Sequence, residues 1–193
     1  MSHNTLRYAY PYKKLTGVAS NLFVYTGTPI QLVDDENIPE NASQWKPQIT
    51  EGRCAYFDGF GWRAGPDISE VSLEKLKKVI AKRKLREFTE SVESLNSEYS
   101  KAESQSWGEQ LAEAKKMIAD GYAPGETPLI EALAAARKID KMDFARKVIE
   151  KNEEYQAKYA ILLAEFQKER DMIEKAKSAN KLPALMIDDL HYL

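Results

Sequence analysis

Apolar positions change their rhythm partway along this chain of 193 residues. From Thr5 to about Asp67 they come in short aromatic and β-branched runs, LRYAYPY, GVASNLFVYTG, PIQLV and RCAYFDGFGWRA, divided by Thr-Gly, Gly-Thr-Pro and Asp-Gly. Such runs with such punctuation mark strands joined by tight turns, and they predict a small β-rich domain over residues 1–68. Within it, Cys54–Trp62 reads as a hairpin turning at Asp58-Gly59, where glycine tolerates a positive φ. Asp34-Asp35-Glu36-Asn37 and Trp45-Lys46-Pro47 read as surface loops.

Beyond Asp67 the period lengthens. Ser72 can cap a helix, and glycine and proline are absent from Leu73 until Gly108. Leu85, Phe88, Val92, Leu95, Tyr99 and Ala102 recur at spacings of three and four, the pattern of a coiled-coil seam. Leu73, Leu76 and Ile80 form an earlier, phase-shifted piece of the same stripe. A short helix over Glu109–Asp120, with Leu111, Ala114 and Ile118 on one side, ends at Gly121-Tyr122-Ala123-Pro124-Gly125. Thr127-Pro128 restarts a helix by a hydroxyl cap with proline at the first helical position. The carboxylate of Asp140 can cap the last helix, whose stripe is Phe144, Val148, Tyr155, Tyr159, Leu162, Phe166 and Ile173. At 1.5 Å per residue its roughly 35 residues make a rod about 50 Å long. Such a rod must pack on the earlier long helix, on a second copy or on another protein.

The expected class is α+β. A β-rich domain is followed by a helical region over 69–179, with long, amphipathic, coiled-coil-like helices at about 72–103, 109–120, 128–138 and 141–177, and a tail over 180–193. The tail begins with the apolar run Leu182-Pro183-Ala184-Leu185-Met186-Ile187.

Charge adds one feature. Seven cations lie between Lys75 and Arg86 without an acid, whereas Glu87, Glu90, Glu93, Glu98 and Glu103 follow. This order opposes the helix macrodipole. An antiparallel partner of the same kind would offset that cost, so a homodimer through Leu85, Phe88, Val92, Leu95 and Tyr99 is expected. A nucleic-acid reading of KLKKVIAKRKLR is weaker, because the acidic half follows at once and no aromatics are interleaved for base stacking. The 28 cations against 30 anions give a formal charge of -2, so no overall field draws the protein to nucleic acid or an anionic membrane.

The start lacks the apolar core of a signal peptide, and no apolar run approaches the roughly 20 residues needed to span a bilayer; a cytoplasmic location is expected. Convergent chemistry is sparse. His3 and His191 sit near opposite ends without ligand-like neighbours, and Cys54 lies in an expected strand as an inert thiol. Gly59 and Gly61 precede a strand and so do not form a phosphate loop. The expectation is no catalysis, no metal and no cofactor. Trp45, Tyr56, Phe60 and Trp62 are the candidate contact residues, against the simpler reading that Trp45, Tyr56 and Trp62 pack a core.

Several of these pieces resemble one family. Tyr8-Ala9-Tyr10 with Thr16-Gly17, then Pro39, Trp45-Lys46-Pro47 and Glu51-Gly52-Arg53-Cys54-Ala55-Tyr56-Phe57-Asp58-Gly59, closing on Trp62 and Asp67, look like the amino-terminal half of phage tail fibre assembly chaperones. Trp107, Glu113-Ala114, Thr127-Pro128-Leu129-Ile130, Ala134-Ala135-Ala136-Arg137, Phe144-Ala145 and Val148-Ile149 with Asn152 and Tyr155 look like the other half. The resemblance spans about residues 8–176 and departs from the pattern in the charged helix Leu73–Glu103. It implies a chaperone of the host cytoplasm that binds a trimeric tail fibre near its receptor-binding C-terminal tip and assists its folding without nucleotide hydrolysis. The competing readings are a virion component, such as a fibre-tip adaptor or adhesin that stays on the particle, and, with least support, an enzyme.

Overall fold

Strand β1 (Arg7–Lys14) is the rail on which the sheet is assembled. The computed structural model describes residues 7–32, 36–97, 99–119, 123 and 125–193. His3, Thr5, Leu6, Val33, Asp34, Asp35, Glu98, Asp120, Gly121, Tyr122 and Pro124, which figure in the sequence reading, lie outside the described residues, as does the side chain of Ala102. Antiparallel partners line up along β1: β3 (Ile30–Leu32) pairs with Arg7–Ala9, β4 (Ala42–Ser43) with Tyr10 and Pro11, and β2 (Phe23–Tyr25) with Tyr12–Lys14. The order β3-β1-β2 then continues through β5 (Cys54–Phe57) to β6 (Trp62–Gly65). These six strands precede five α-helices among the described residues, so the fold is α+β as expected.

The chain forms two compact units, 1–85 with 167–193, and 86–166. The change of texture near residue 68 therefore falls inside the first unit. There, the sheet's inner face presents Val24, Cys54 and Tyr56 to Leu76 and Ile80 of α1 (Leu73–Leu95) and to Ile173 of α5 (Lys141–Lys175). The tail fills the rest of this core with Leu182, Leu185 and Leu190, and Leu185 N donates to Ala19 O at 2.7 Å. Even a methyl group at Gly65 would stand 3.1 Å from the Tyr56 ring and 3.2 Å from Leu190.

The basic stretch of α1 is largely consumed by this packing. Arg83, buried, places Nε 3.0 Å from both carboxylate oxygens of buried Asp189 and donates from Nη2 to Ala184 O at 2.7 Å. Asp189 also accepts from Met186 N at 2.9 Å. Lys75 donates to Leu193 O, Lys77 to Glu174 O at 3.2 Å, Lys84 meets Glu169 at 2.7 Å and Lys82 lies over the Tyr192 ring.

In the second unit, Ala114 and Met117 of α3 (Trp107–Ile118), Ile130 and Ala134 of α4 (Pro128–Arg137) and Phe144 and Ala145 of α5 form the core. Met117, rather than exposed Ile118, completes the buried side of α3. Two caps follow the sequence reading: Ser72 Oγ accepts from Lys75 N at 3.3 Å, and Asp140 Oδ1 accepts from Met142 N at 2.9 Å and Asp143 N at 3.1 Å. Thr127 makes no side-chain cap bond to α4, and the Glu113 carboxylate accepts from Ile130 N at 2.9 Å instead. The long helix expected to Glu103 stops at Leu95. Ser94 and Ser97 turn their hydroxyls onto Ser91 O and Ser94 O, competing with the helix ladder, and Ser100 caps a separate α2 (Lys101–Gln105).

Two outcomes test this packing. Asp189→Ala, which strands a buried guanidinium, is expected to lower stability by about 3–5 kcal/mol in urea unfolding, and Arg83→Met with Asp189→Leu to recover much of that loss. Tyr56 donates from its hydroxyl to Pro66 O at 2.7 Å and accepts from Ile68 N at 3.2 Å. Its burial raises the phenol above the ordinary 10.0, the Ile68 bond acting the other way. The folded state thus holds this proton more tightly than the unfolded chain. Its contribution is complete below pH 10 and declines as the pH rises beyond, so stability is expected to fall on that alkaline limb, and less steeply in Tyr56→Phe.

Candidate functional site

Strand alternation sorts the aromatic residues of the first unit onto two faces. Tyr56 points into the core at 1% exposure and is thereby removed from the candidate contact set: its ring and hydroxyl are both committed inside the protein. Phe57, one residue on, points the other way. It sits in a cross-strand row with Phe23 and Trp62, its register partners on β2 and β6, and Tyr12 opposes Tyr25 along the neighbouring pair.

The result is a continuous layer of rings on the outer face. Phe57 lies 5.0 Å from Trp62, 5.3 Å from Tyr12 and 6.1 Å from Trp45, between ring centroids. Tyr12 packs 4.9 Å from Phe23, and Tyr25 stands edge-on to Trp62 at 5.8 Å and 6.4 Å from Tyr10. Short polar ties hold the layer to the preceding loop. Trp62 Nε1 donates to Trp45 O at 2.8 Å, and the Tyr12 hydroxyl donates to Glu40 O at 3.3 Å. Phe57 is the buried centre; Tyr10, Tyr12, Phe23, Tyr25 and Trp62 are half-buried, and Trp45 is 49% exposed. Among the described residues of this unit no helix covers these rings, since α1, the end of α5 and the tail pack on the other face.

Phe60 stands apart from the layer. It rides the four-residue turn Asp58–Gly61 that the Asp58-Gly59 pair announces, and is 88% exposed. Trp45 and Trp62 are thus placed together in a larger aromatic surface, with Phe60 outside it. Tyr10, Tyr12, Phe23, Tyr25 and Phe57 are additions to the sequence reading. Their signal was available in the alternations Tyr8-Ala9-Tyr10-Pro11-Tyr12 and Phe23-Val24-Tyr25, which put like rings on one side of a strand.

Of the expected self-association residues, Phe88 and Tyr99 have ring partners inside the chain. In the second unit Phe88 stacks on Phe166 at 4.7 Å with 14° between the planes and lies 6.3 Å from Tyr159. Tyr99, beyond the end of α1, meets Trp107 edge-on at 5.0 Å, with Lys151 Nζ over its ring. Val92 and Leu95 are half-buried, and Leu85, in the first unit, is left 53% exposed. In the first unit Lys84 of α1 meets Glu169 of α5 at 2.7 Å.

Among the described residues no three His, Cys, Asp or Glu side chains converge as metal ligands, and no helix is long and apolar enough to cross a membrane. Cys54 is free and half-buried beside Tyr56. Comparison with protein-family models, curated proteins and solved structures gives no match.

The layer divides structural from free aromatic residues. Phe57→Ala is expected to cost about 3–5 kcal/mol, as for a large ring removed from a packed centre. Phe60→Ala is expected to stay within about 0.5 kcal/mol of the parent, as for a surface change. Paired urea titrations measure both.

Proposed function

We propose that the protein is a passive assembly chaperone for a trimeric fibre of the phage-tail type, binding near the fibre's receptor-binding tip through the outer aromatic face of its sheet. The supporting observation is that face itself, a layer of seven rings with buried Phe57 at its centre and, among the described residues of this unit, no covering helix. A contiguous, partly exposed aromatic surface is the kind of patch that serves for interaction, and tyrosine and tryptophan are enriched among the side chains that carry binding energy. The motif resemblance supplies the partner class.

Fibre tips expose strand edges and apolar surface until their three chains intertwine, and such surfaces aggregate when uncovered. A rigid aromatic face covers them by burial alone and leaves when trimer contacts bind more tightly, a cycle that requires no hydrolysis. The helical second unit serves as a scaffold in this reading, and the site of action is the host cytoplasm.

Co-expression is the test. The cognate fibre is expected to be soluble and trimeric with the protein and largely aggregated without it; equal yields of trimer in both cultures refute the proposal. Recovery of the protein from purified particles at a fixed ratio to the fibre would favour a virion component.

A further inference from the structure

Residues 182–193 sit on the first unit as a peptide sits in a groove. Leu182, Leu185 and Leu190, each at most 4% exposed, enter the core among Leu22, Tyr56, Leu76 and Ile80. Leu185 forms a single parallel bridge with Ser20, its N donating to Ala19 O at 2.7 Å. Charges match across the seam: Arg83 meets Asp189 at 3.0 Å, Arg63 meets Asp188 at 3.5 Å, and Lys82 lies over the Tyr192 ring. Met186 N donates to the Asp189 carboxylate at 2.9 Å, so the segment carries part of its own shape. Its tether is slight. Between α5 and the tail, Lys177, Ser178, Asn180 and Lys181 are exposed, and the hydrogen bonds of 177–181 among the described residues are local, Ser178 Oγ to Asn180 Oδ1 at 2.7 Å and Lys181 N to Ser178 O at 3.1 Å among them.

We infer that this groove also accepts the same segment from a second copy, so that two chains exchange residues 182–193 and each completes the first unit of the other. The inference stands apart from the chaperone reading and gives the expected homodimer a seam other than α1. The groove selects its occupant by chemistry: three leucines, with a carboxylate ahead of the last, opposite the buried Arg83 guanidinium. A second copy's tail meets each requirement because its sequence is the same. Exchange leaves the contacts unchanged, which is why such swaps are a low-cost route to dimers. Concentration then decides between the arrangements. A short tether gives the tail a local concentration of about millimolar, so the closed monomer prevails in dilute solution. The choice is open during folding, because Leu22, Tyr56, Ile80 and Arg83 precede the tail by the whole of the second unit.

Two full-length variants with charge reversed on opposite sides of the seam test the exchange. Arg83→Asp spoils the groove and keeps the tail; Asp189→Arg keeps the groove and spoils the tail. Refolded separately from urea, neither is expected to dimerise, because every copy brings the same mismatch. Refolded together, they are expected to give a heterodimer of twice the chain mass by light scattering, with a melting transition above that of either variant alone. A synthetic peptide of residues 178–193 is expected to bind the Asp189→Arg protein, and about 100-fold more weakly when the peptide carries Asp189→Arg itself. The parent, refolded at rising concentration, is expected to yield a growing share of dimer. A co-refolded mixture that stays unfolded or at the mass of one chain overturns the exchange, as does a parent that is monomeric throughout or a peptide indifferent to its own Asp189→Arg. Dimers formed equally by either variant alone overturn it in favour of another seam.

Discussion

The buried contact between Arg83 and Asp189 gives the sheet an inside and an outside. A guanidinium leaves water only when a carboxylate and further acceptors meet it, because the cost of an unpaired buried charge exceeds what local packing returns. Here the acceptors come from Asp189 and Ala184, and Asp189 in turn ties down Met186 N, so one placement of the tail satisfies every group. Specificity of placement, rather than net stability, is what such a pair best supplies. With the tail held there, Leu185 and Leu190 close over Tyr56, and the opposite side of the same strands is left with its rings uncovered.

Local signals were the ones readable without coordinates. Asp58-Gly59 announces its turn because the two residues alone satisfy the geometry, and Ser72 and Asp140 cap helices three residues downstream through their own side chains. Tyr56 and Phe57 show where that reading stops. Both are aromatic and adjacent, and the one that faces inward is the one on which α1, the end of α5 and the tail pack. Thr127 failed for the same reason, since its expected role passed to Glu113, a residue brought there by helix packing. The break after Leu95 was visible in its serines and asparagine, but the apolar spacing through Tyr99 and Ala102 concealed it.

The charge order along α1 was legible in the sequence, with seven cations ahead of its acids. Cations at the start of a helix and anions at its end set it against its own dipole. Running α5 antiparallel places Glu169 beside Lys84 in one unit and Lys151 beside Tyr99 in the other. Phe88 of α1 stacks on Phe166 of α5, while the outer face of the sheet carries the layer of rings. On the proposed reading, this separates a scaffold made of helices from a contact surface made of strands.

The discontinuity of the first unit has a consequence for biosynthesis. Arg83 and Asp189 are 106 positions apart, with the whole of the second unit between them. A ribosome delivering residues at about 5–20 per second exposes the strands for seconds before Ile173 and the tail, which complete the cover begun by α1, emerge. During that interval the part of the inner face that Ile173 and the tail fill is bare, and closing so long a loop is slow. The second unit, contiguous from 86 to 166, can fold in the meantime. A protein proposed to shield others from aggregation thus passes, at its own birth, through the state it is meant to guard against.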